Sequence, residues 1–320
     1  MAFLQSPLYP DDTPALTSLL SSHPVRLVSF ADLETLRQSP VYGSIEVLVV
    51  HFLSTADFLT VLRENPVRWV HSYTVGVDKY LVPGFVESPT PLTNARGIYS
   101  QALAEFALYA VLYFSKNLER LRQQKAAKTW SQFNTKRVSK LSMLVLGYGD
   151  MGKAVARTAA GLGIKVKGIR RTPEPDEIAE VQGIDSLSAL LPNTDVLVMC
   201  LPATDATENI ISHTELNLIK PGAVVINLGR GTHLNEAALV EALQSGHLQG
   251  AALDVYKKEP PDADSPLWSC PNLLMSNHNA DHVSSLMAAR NAQLFLSNLA
   301  LYQAGRILSS PSLVIKSKGY

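Results

Sequence analysis

The stretch Leu141 to Gly152, LSMLVLGYGDMG, constrains the fold of this 320-residue chain more than any other. Leu144 to Leu146 is a short apolar run of the kind that forms a strand buried on both faces. It runs into Gly147, Gly149 and Gly152, and Lys153 to Leu162 then continues in small and apolar residues at helical spacing. A G-x-G-x-x-G alone is as well read as an ordinary turn. Between a strand and a helix it specifies the first βα turn of a dinucleotide-binding fold. The first glycine permits the tight turn, the second lets backbone approach a pyrophosphate, and the third lets helix and strand pack closely. The free N–H groups at the helix start then hold the phosphate. Gly147, Tyr148, Gly149, Asp150, Met151 and Gly152 are therefore the expected cofactor-binding turn.

A chain of this length suggests about two domains, and 46% hydrophobic against 18% charged residues describes a globular protein with ample core. The formal net charge of zero excludes a general electrostatic pull toward nucleic acid or membrane. Cys200 and Cys270 are far apart and lack metal-ligand spacing, so reduced thiols and no metal are expected. The start, MAFLQSPLYPDD, has no basic region followed by a long apolar run, and no run in the chain approaches membrane-spanning length. A cytoplasmic protein is the expectation.

Residues 1 to about 100 alternate short strands and helices, which suggests a parallel α/β layer. Val25 to Phe30, Val47 to Phe52 and Arg68 to Tyr73 are the clearest strands, the last ending in the turn Thr74-Val75-Gly76-Val77-Asp78. Ala102 to Leu118 is a long helical pattern rich in Ala and Leu. Asn117 to Arg137 is polar and basic, reads as a solvated helical connector, and marks a candidate hinge or domain boundary.

After the glycine turn, Ile164 to Ile169 is the second strand, followed by Arg170-Arg171-Thr172. The residue ending this strand meets the adenosine ribose, where an acid favours NAD(H) and arginine accommodates a 2′-phosphate. A guanidinium pair matches phosphate in charge and fork geometry, so NADP(H) is expected over NAD(H). Two solvated surface charges are the alternative.

Further strands are expected at Asp195–Leu201, Ala223–Leu228, Ala251–Val255 and Leu273–Ser276, with helices at His213–Ile219, Asn235–Gln244 and Val283–Tyr302. In such sheets ligands bind outside the carboxyl ends of the strands. Arg230, Asp254, Glu259 and His278 all lie at or just past strand ends. An arginine can hold a small carboxylate bidentately and polarise a neighbouring carbonyl. A histidine titrating near neutrality can exchange the proton of an alcohol–ketone pair, and a glutamate on its other ring nitrogen orients it and favours the imidazolium. With a nicotinamide beside them, the reaction these groups suit is hydride transfer to a 2-keto acid. Taken singly, each residue could equally be a solvated turn, a cap or a surface charge.

Three segments then resemble the D-isomer-specific 2-hydroxyacid dehydrogenases: KPGAVVINLGRG (Lys220–Gly231), GAALDVYKKEP (Gly250–Pro260) and SPLWSCPNLLMSNHNA (Ser265–Ala280) look like that family's arginine, glutamate and histidine motifs. They follow the glycine turn in the family's order, and the resemblance spans nearly the whole chain, weakest in the first sixty or so residues. It implies catalytic roles for Arg230 (substrate), Glu259 (support of the histidine) and His278 (acid–base). Asp254 would contact the nicotinamide amide, and Leu201, Pro202, Thr207, Leu228, Gly229 and Ala280 would line the cofactor site. Val75 and Gly76 would offer N–H groups to the substrate carboxylate. The implied architecture is two doubly wound parallel-sheet domains with a cleft between, a Rossmann-type cofactor domain (115–283) and a flavodoxin-like, discontinuous substrate domain (1–114 and 284–320). A homodimer through the cofactor domain is implied as well.

The chain departs from the pattern where Asn277 replaces the usual proline before the histidine, and where a second histidine, His282, follows. Arg170-Arg171 with Trp268 looks most like the glyoxylate/hydroxypyruvate reductase branch; Trp268 would cover the substrate pocket or else be ordinary core. The expected activity is NADPH-preferring reduction of small 2-keto acids. The rivals are an NADH-dependent enzyme for a bulkier keto acid and a non-catalytic dinucleotide-sensing scaffold of the same fold.

Overall fold

The computed structural model describes residues 2–4, 12–21, 28–30, 32–51 and 53–320. They form two compact units, residues 1–99 with 282–320 and residues 100–281. Each has its own parallel sheet.

The first unit runs β1 (Ala2–Leu4), α1 (Asp12–Leu20), β2 (Val28–Phe30), α2 (Leu33–Arg37), β3 (Val47–Val50), α3 (Thr55–Glu64), β4 (Trp69–Ser72), α4 (Pro83–Val86) and β5 (Leu92–Thr93). Its strand order is β2-β1-β3-β4-β5 with every pairing parallel, the order of flavodoxin-like sheets. Strands β3 and β4 are buried throughout; β3 accordingly reads as an unbroken apolar run, whereas β4 buries His71 and Ser72 after Trp69 and Val70. Of the expected strand 25–30, residues 25–27 lie outside the described part, as does Phe52 at the end of the expected 47–52.

The second unit runs α5 (Ser100–Ser115), α6 (Leu118–Ala126), β6 (Ser142–Leu146), α7 (Asp150–Ala160), β7 (Lys165–Ile169), β8 (Glu180–Gln182), α8 (Leu187–Leu190), β9 (Val196–Met199), α9 (His213–Leu218), β10 (Val224–Asn227), α10 (Glu236–Gln244), β11 (Gly250–Leu253) and β12 (Leu273–Met275). The chain then returns to the first unit as α11 (Ser284–Gln303). There Ala292, Phe295 and Leu299 of α11 join Leu16, Val49 and Trp69 in one buried cluster, and the Phe295 and Trp69 rings stack at 5.2 Å.

The second sheet is ordered β12-β11-β10-β9-β6-β7-β8, again all parallel. Its strand order reverses between β6 and β9, which is the switch point where such sheets open a ligand crevice at their carboxyl ends. Alternate residues of each strand feed two apolar layers. Met143, Val145, Val198 and Ile226 face α5 and α7, whereas Leu144, Leu146, Leu197 and Val225 face α9 and α10. Each such side chain withdrawn from water contributes about 1.5–3 kcal/mol.

Two expectations about organisation are corrected. The sequence places the domain boundary at 114/115, whereas the compact units divide at Tyr99/Ser100 and Asp281/His282. Helix α5 makes the difference: its Ala104, Ala107, Val111 and Phe114 are buried against α7 and the second sheet, and Gln249 donates its side-chain amide to the Phe114 carbonyl at 2.8 Å. The polar segment 117–137 is helical only as far as Ala126. Lys128 enters the left-handed region (φ 52°), and its neighbour Thr129 returns its N–H to Gln124, closing the helix. This segment lies inside the second unit rather than at its border. Among the described residues no helix is long and apolar enough to cross a membrane.

Candidate active site

The glycine turn follows β6 as its spacing requires. Gly147 sits at φ 99°, and a Cβ there would lie 2.6 Å from the Cys200 carbonyl at the end of the neighbouring strand β9. A Cβ on Gly152 would meet the Gly147 carbonyl oxygen at 2.2 Å, whereas one on Gly149 would meet nothing within 4 Å. So the first glycine makes the turn, the third brings helix to strand, and the second faces open space. Gly149 is the N-cap of α7, and Lys153 N–H to the Gly149 carbonyl (2.8 Å) is the first bond inside the helix. The N–H groups before it project from the helix end, where the helix dipole favours an anion. The turn thus fits a pyrophosphate. Tyr148 points away from it, buried, with its hydroxyl donating to Asp176 at 2.9 Å.

At the end of β7, Arg170 is paired with Glu174 at 2.6 Å, and Arg171 and Thr172 are exposed. Arg170 is half-buried, and the other charges of this corner face solvent.

The opposite half of the sheet is built differently. The loop after β10 carries Leu228, Gly229 and Arg230. Gly231 closes it against the loop after β11, because a Cβ there would lie 1.9 Å from the Tyr256 carbonyl carbon. Asn227, at the end of β10 and fully buried, donates to the Arg230 carbonyl (2.9 Å) and accepts from Gly229 N–H (3.1 Å). The Arg230 guanidinium itself reaches the Gly229 carbonyl at 2.8 Å. After β11, Asp254 is buried, and its Oδ1 accepts from Ser276 Oγ (2.7 Å) and from the N–H groups of Asn279 and Ala280 (both 3.1 Å). Tyr256 donates its hydroxyl to the carbonyls of Leu253 and Ser276. One carboxylate and one phenol therefore fasten the histidine loop to the end of β11.

That loop holds His278 in the left-handed region (φ 53°), a conformation that costs a non-glycine residue on the order of 1–3 kcal/mol and persists where neighbours enforce it. Its Nδ1 lies 2.7 Å from Glu259 Oε2, while Glu259 Oε1 accepts the Tyr256 N–H at 2.9 Å. The bond to Glu259 raises the His278 pKa above its usual 6.5. Burial works against this, attraction to Glu259 and Asp254 adds to it, and Arg230 opposes it. Burial pushes the Glu259 carboxyl up, but the bonds from His278 and Tyr256 and the positive fields of His278 and Arg230 outweigh it, leaving the group below its usual 4.5. A carboxylate receives the Nδ1 proton, so Nε2 is the nitrogen left to act.

The remaining candidates are placed as follows. Leu201 and Pro202 follow β9, and Thr207 turns its hydroxyl onto the Pro202 carbonyl at 2.8 Å, serving its own loop. Trp268 is 54% exposed, with Nε1 donating to the Asp262 carbonyl at 2.8 Å; among the described residues no bond or ring contact joins it to Arg230, Glu259 or His278. Val75 and Gly76 belong to the first unit. Their carbonyls are taken by Asn94 Nδ2 (2.7 Å) and Thr74 Oγ1 (2.8 Å). His282 also lies in the first unit and is exposed. Sequence reasoning passed over His233, Ser276 and Tyr256. Each has one partner 20 to 31 positions away, which no local pattern marks.

Residues 108–280 match the family model described as D-isomer specific 2-hydroxyacid dehydrogenase, NAD binding domain. A glyoxylate reductase of Thermococcus gammatolerans is 30% identical over 78% of this chain and 76% of its own. A glyoxylate/hydroxypyruvate reductase A of Arabidopsis thaliana is 28% identical over 84% and 86% respectively. Among solved structures, the NADPH-dependent glyoxylate/hydroxypyruvate reductase of Sinorhizobium meliloti, in complex with NADP and sulfate, superimposes with a TM-score of 0.87 at 25% identity, covering 100% of this chain and 99% of that one. The matched residues include the glycine turn, the strand-end arginine and the Glu259–His278 pair. The chain belongs to the D-isomer specific 2-hydroxyacid dehydrogenases and is an NAD(P)-dependent oxidoreductase of that family.

Proposed function

We propose that the chain is an NADPH-preferring reductase of small 2-keto acids, of the glyoxylate and hydroxypyruvate kind, yielding D-2-hydroxy acids. The observation that carries this is the Glu259–His278 pair, closed at 2.7 Å beside the field of Arg230. A bound reduced nicotinamide supplies the hydride that reaches the carbonyl carbon. Arg230 holds the substrate carboxylate and polarises the carbonyl. His278, protonated on both nitrogens, keeps its Nδ1 proton, donated in the hydrogen bond to Glu259, and gives its Nε2 proton to the carbonyl oxygen. Glu259 stays ionised throughout and stabilises the imidazolium. Asp254 fastens the histidine loop through Oδ1 and offers Oδ2 to the nicotinamide amide. No hydrogen bond from the described residues reaches that second oxygen.

The preference for NADPH rests on Arg170 and Arg171 at the end of β7, where no acidic residue stands to repel a 2′-phosphate by direct occupation of the strand end. The NADP-bound relative from Sinorhizobium meliloti supports the same reading. The second unit also exposes Tyr109 and Leu121, which line one groove with Tyr113 and Leu118. Large apolar groups exposed together mark an interaction surface, and we assign it to a second copy of the chain. Sedimentation should then give a dimer that Leu121→Ser weakens; a monomer at micromolar concentration would remove the assignment.

The deciding experiment is steady-state oxidation of NADPH and NADH with glyoxylate, hydroxypyruvate, pyruvate and phenylpyruvate. NADPH turnover on the two small keto acids is expected. Nucleotide binding without turnover on any of the four would overturn the reading.

A further inference from the structure

His233 has none of the marks of a surface residue. It is fully buried, three positions beyond Arg230, and both ring nitrogens are engaged. Nδ1 lies 3.0 Å from the Arg230 backbone N–H, and Nε2 lies 3.1 Å from the Pro202 carbonyl oxygen. A backbone N–H can only donate, so Nδ1 must present its lone pair. The proton of the neutral ring is then on Nε2, where it donates to Pro202. The ring is fitted into its place: a Cβ on Gly229 would lie 2.8 Å from Nδ1 and 2.9 Å from Cε1, so the glycine before Arg230 is the space the imidazole occupies.

The two tethered loops are those after β9 and β10, neighbouring strands of the sheet. Pro202 has no N–H of its own. Its carbonyl oxygen takes two donors, Thr207 Oγ1 at 2.8 Å and His233 Nε2. Arg230 is gripped at both main-chain groups, its N–H by His233 and its carbonyl by Asn227 Nδ2 at 2.9 Å. A ring with both nitrogens committed cannot exchange protons with a substrate, and its value lies in the distance it fixes.

We propose that His233 is a positioning residue that ties the cofactor-facing Pro202 loop to the substrate-binding Arg230 through its Nε2–H tautomer. The inference rests on the roles given to Arg230 and Pro202 above. It extends them to a residue that touches neither substrate nor cofactor.

The amide side chains separate the two ties. An asparagine oxygen sits where Nδ1 is, and a glutamine amide reaches where Nε2–H is. His233→Asn should keep the grip on Arg230 and release Pro202. The KM for glyoxylate should then move by less than about twofold, while the Kd for NADPH, read by fluorescence, rises about tenfold, the worth of one buried hydrogen bond. His233→Gln should do the reverse, raising the KM for glyoxylate about tenfold with NADPH binding nearly unchanged. Equal losses in both constants for both variants would mean that the ring merely fills space, and unchanged constants would mean that it ties nothing. Either result overturns the proposal. A wild-type protein that binds NADPH without reducing keto acids would fail the functional reading alone. His233 would then still be judged by the NADPH affinities and by ring ¹⁵N shifts of the wild-type protein. Those shifts should show a bare Nδ1 and a protonated Nε2, and a proton on Nδ1 would sink the tether.

Discussion

The corner after β7 and the loop after β12 stand at the carboxyl ends of one sheet and are built in opposite ways. At the first, Arg171 and Thr172 are exposed and Arg170 is held by one ion pair with Glu174. At the second, His278 is fixed by Glu259, by a left-handed backbone, and by a loop fastened through Asp254 and Tyr256. The difference follows from the tasks assigned to them. A phosphate is recognised by charge, which acts over several ångströms and tolerates a mobile side chain. A proton transfer needs donor and acceptor within hydrogen-bond reach, and small misplacements are costly. The two corners should therefore respond to substitution in different currencies, one in cofactor choice and the other in turnover.

The largest effect should come from the histidine corner. His278→Ala removes the general acid and should lower kcat/KM for glyoxylate by about 10²–10⁴-fold, leaving the NADPH Kd within about threefold. Turnover that survives the substitution would dissolve the contrast, because His278 would then be no more critical than a surface charge. At the arginine corner the same assay should move differently. Replacing Arg170 and Arg171 together by Ser should cut the NADPH:NADH preference by about 10²–10⁴-fold, given ~1.5–3 kcal/mol for each charge-assisted bond. NADH turnover should change little. Equal losses with both cofactors would mean that the arginines do not read the 2′-phosphate.

The two corners were also unequally legible. Strands buried on both faces announce themselves: Leu144–Leu146 and Ala223–Leu228 reappear as β6 and β10 within a residue or two. Strand ends then gather Arg170, Arg230, Asp254 and His278 without further information, because the fold opens at that end. The strand β8 is three residues long, on the sheet edge and polar, so it lacks the apolar signal and goes unread. Helix α5 is legible as a helix but not as a member of the second unit, since its small residues say only that something packs closely, and that something is α7 and the start of β11. The support around His278 and Arg230 is invisible for a related reason. Ser276, Tyr256 and His233 acquire their work from atoms 3 to 31 positions away, and their own neighbours in sequence do not name those partners.

A third substitution tests whether the support of His278 is electrostatic or only mechanical. Glu259→Gln keeps shape and hydrogen bonding but removes the charge that raises the His278 pKa. Reduction requires protonated His278, so its rate falls as pH rises through the folded pKa, which lies above 6.5 in the native protein. In the variant that basic limb should move to lower pH, and kcat/KM at mildly alkaline pH should drop while the acid-side rate changes little. The stability signs agree. The raised His278 contributes fully below 6.5 and loses its contribution as pH rises through the folded value. The lowered Glu259 contributes fully above 4.5 and loses it as pH falls through its own. Both are therefore complete only between those two values. A pH–rate profile with an unmoved basic limb would show that Glu259 orients the ring without setting its charge.

The smallest effect is expected back at the arginine corner, where it sharpens the contrast most. Glu174 accepts from Arg170 at 2.6 Å, yet its side chain is 58% exposed and the pair spans only four residues. An exposed pair of this kind contributes about 0–1 kcal/mol, because solvent screens the attraction and two long side chains lose freedom to make it. Glu174→Gln should leave the thermal unfolding midpoint within a degree or two. A 2′-phosphate must displace the same carboxylate to claim both arginines, so the substitution should tighten NADPH by a few-fold and leave NADH unaffected. Weaker NADPH binding in this variant would reverse the argument. It would mean that Glu174 holds Arg170 ready for the phosphate, and that the exposed corner, like the histidine loop, depends on a fastened geometry after all.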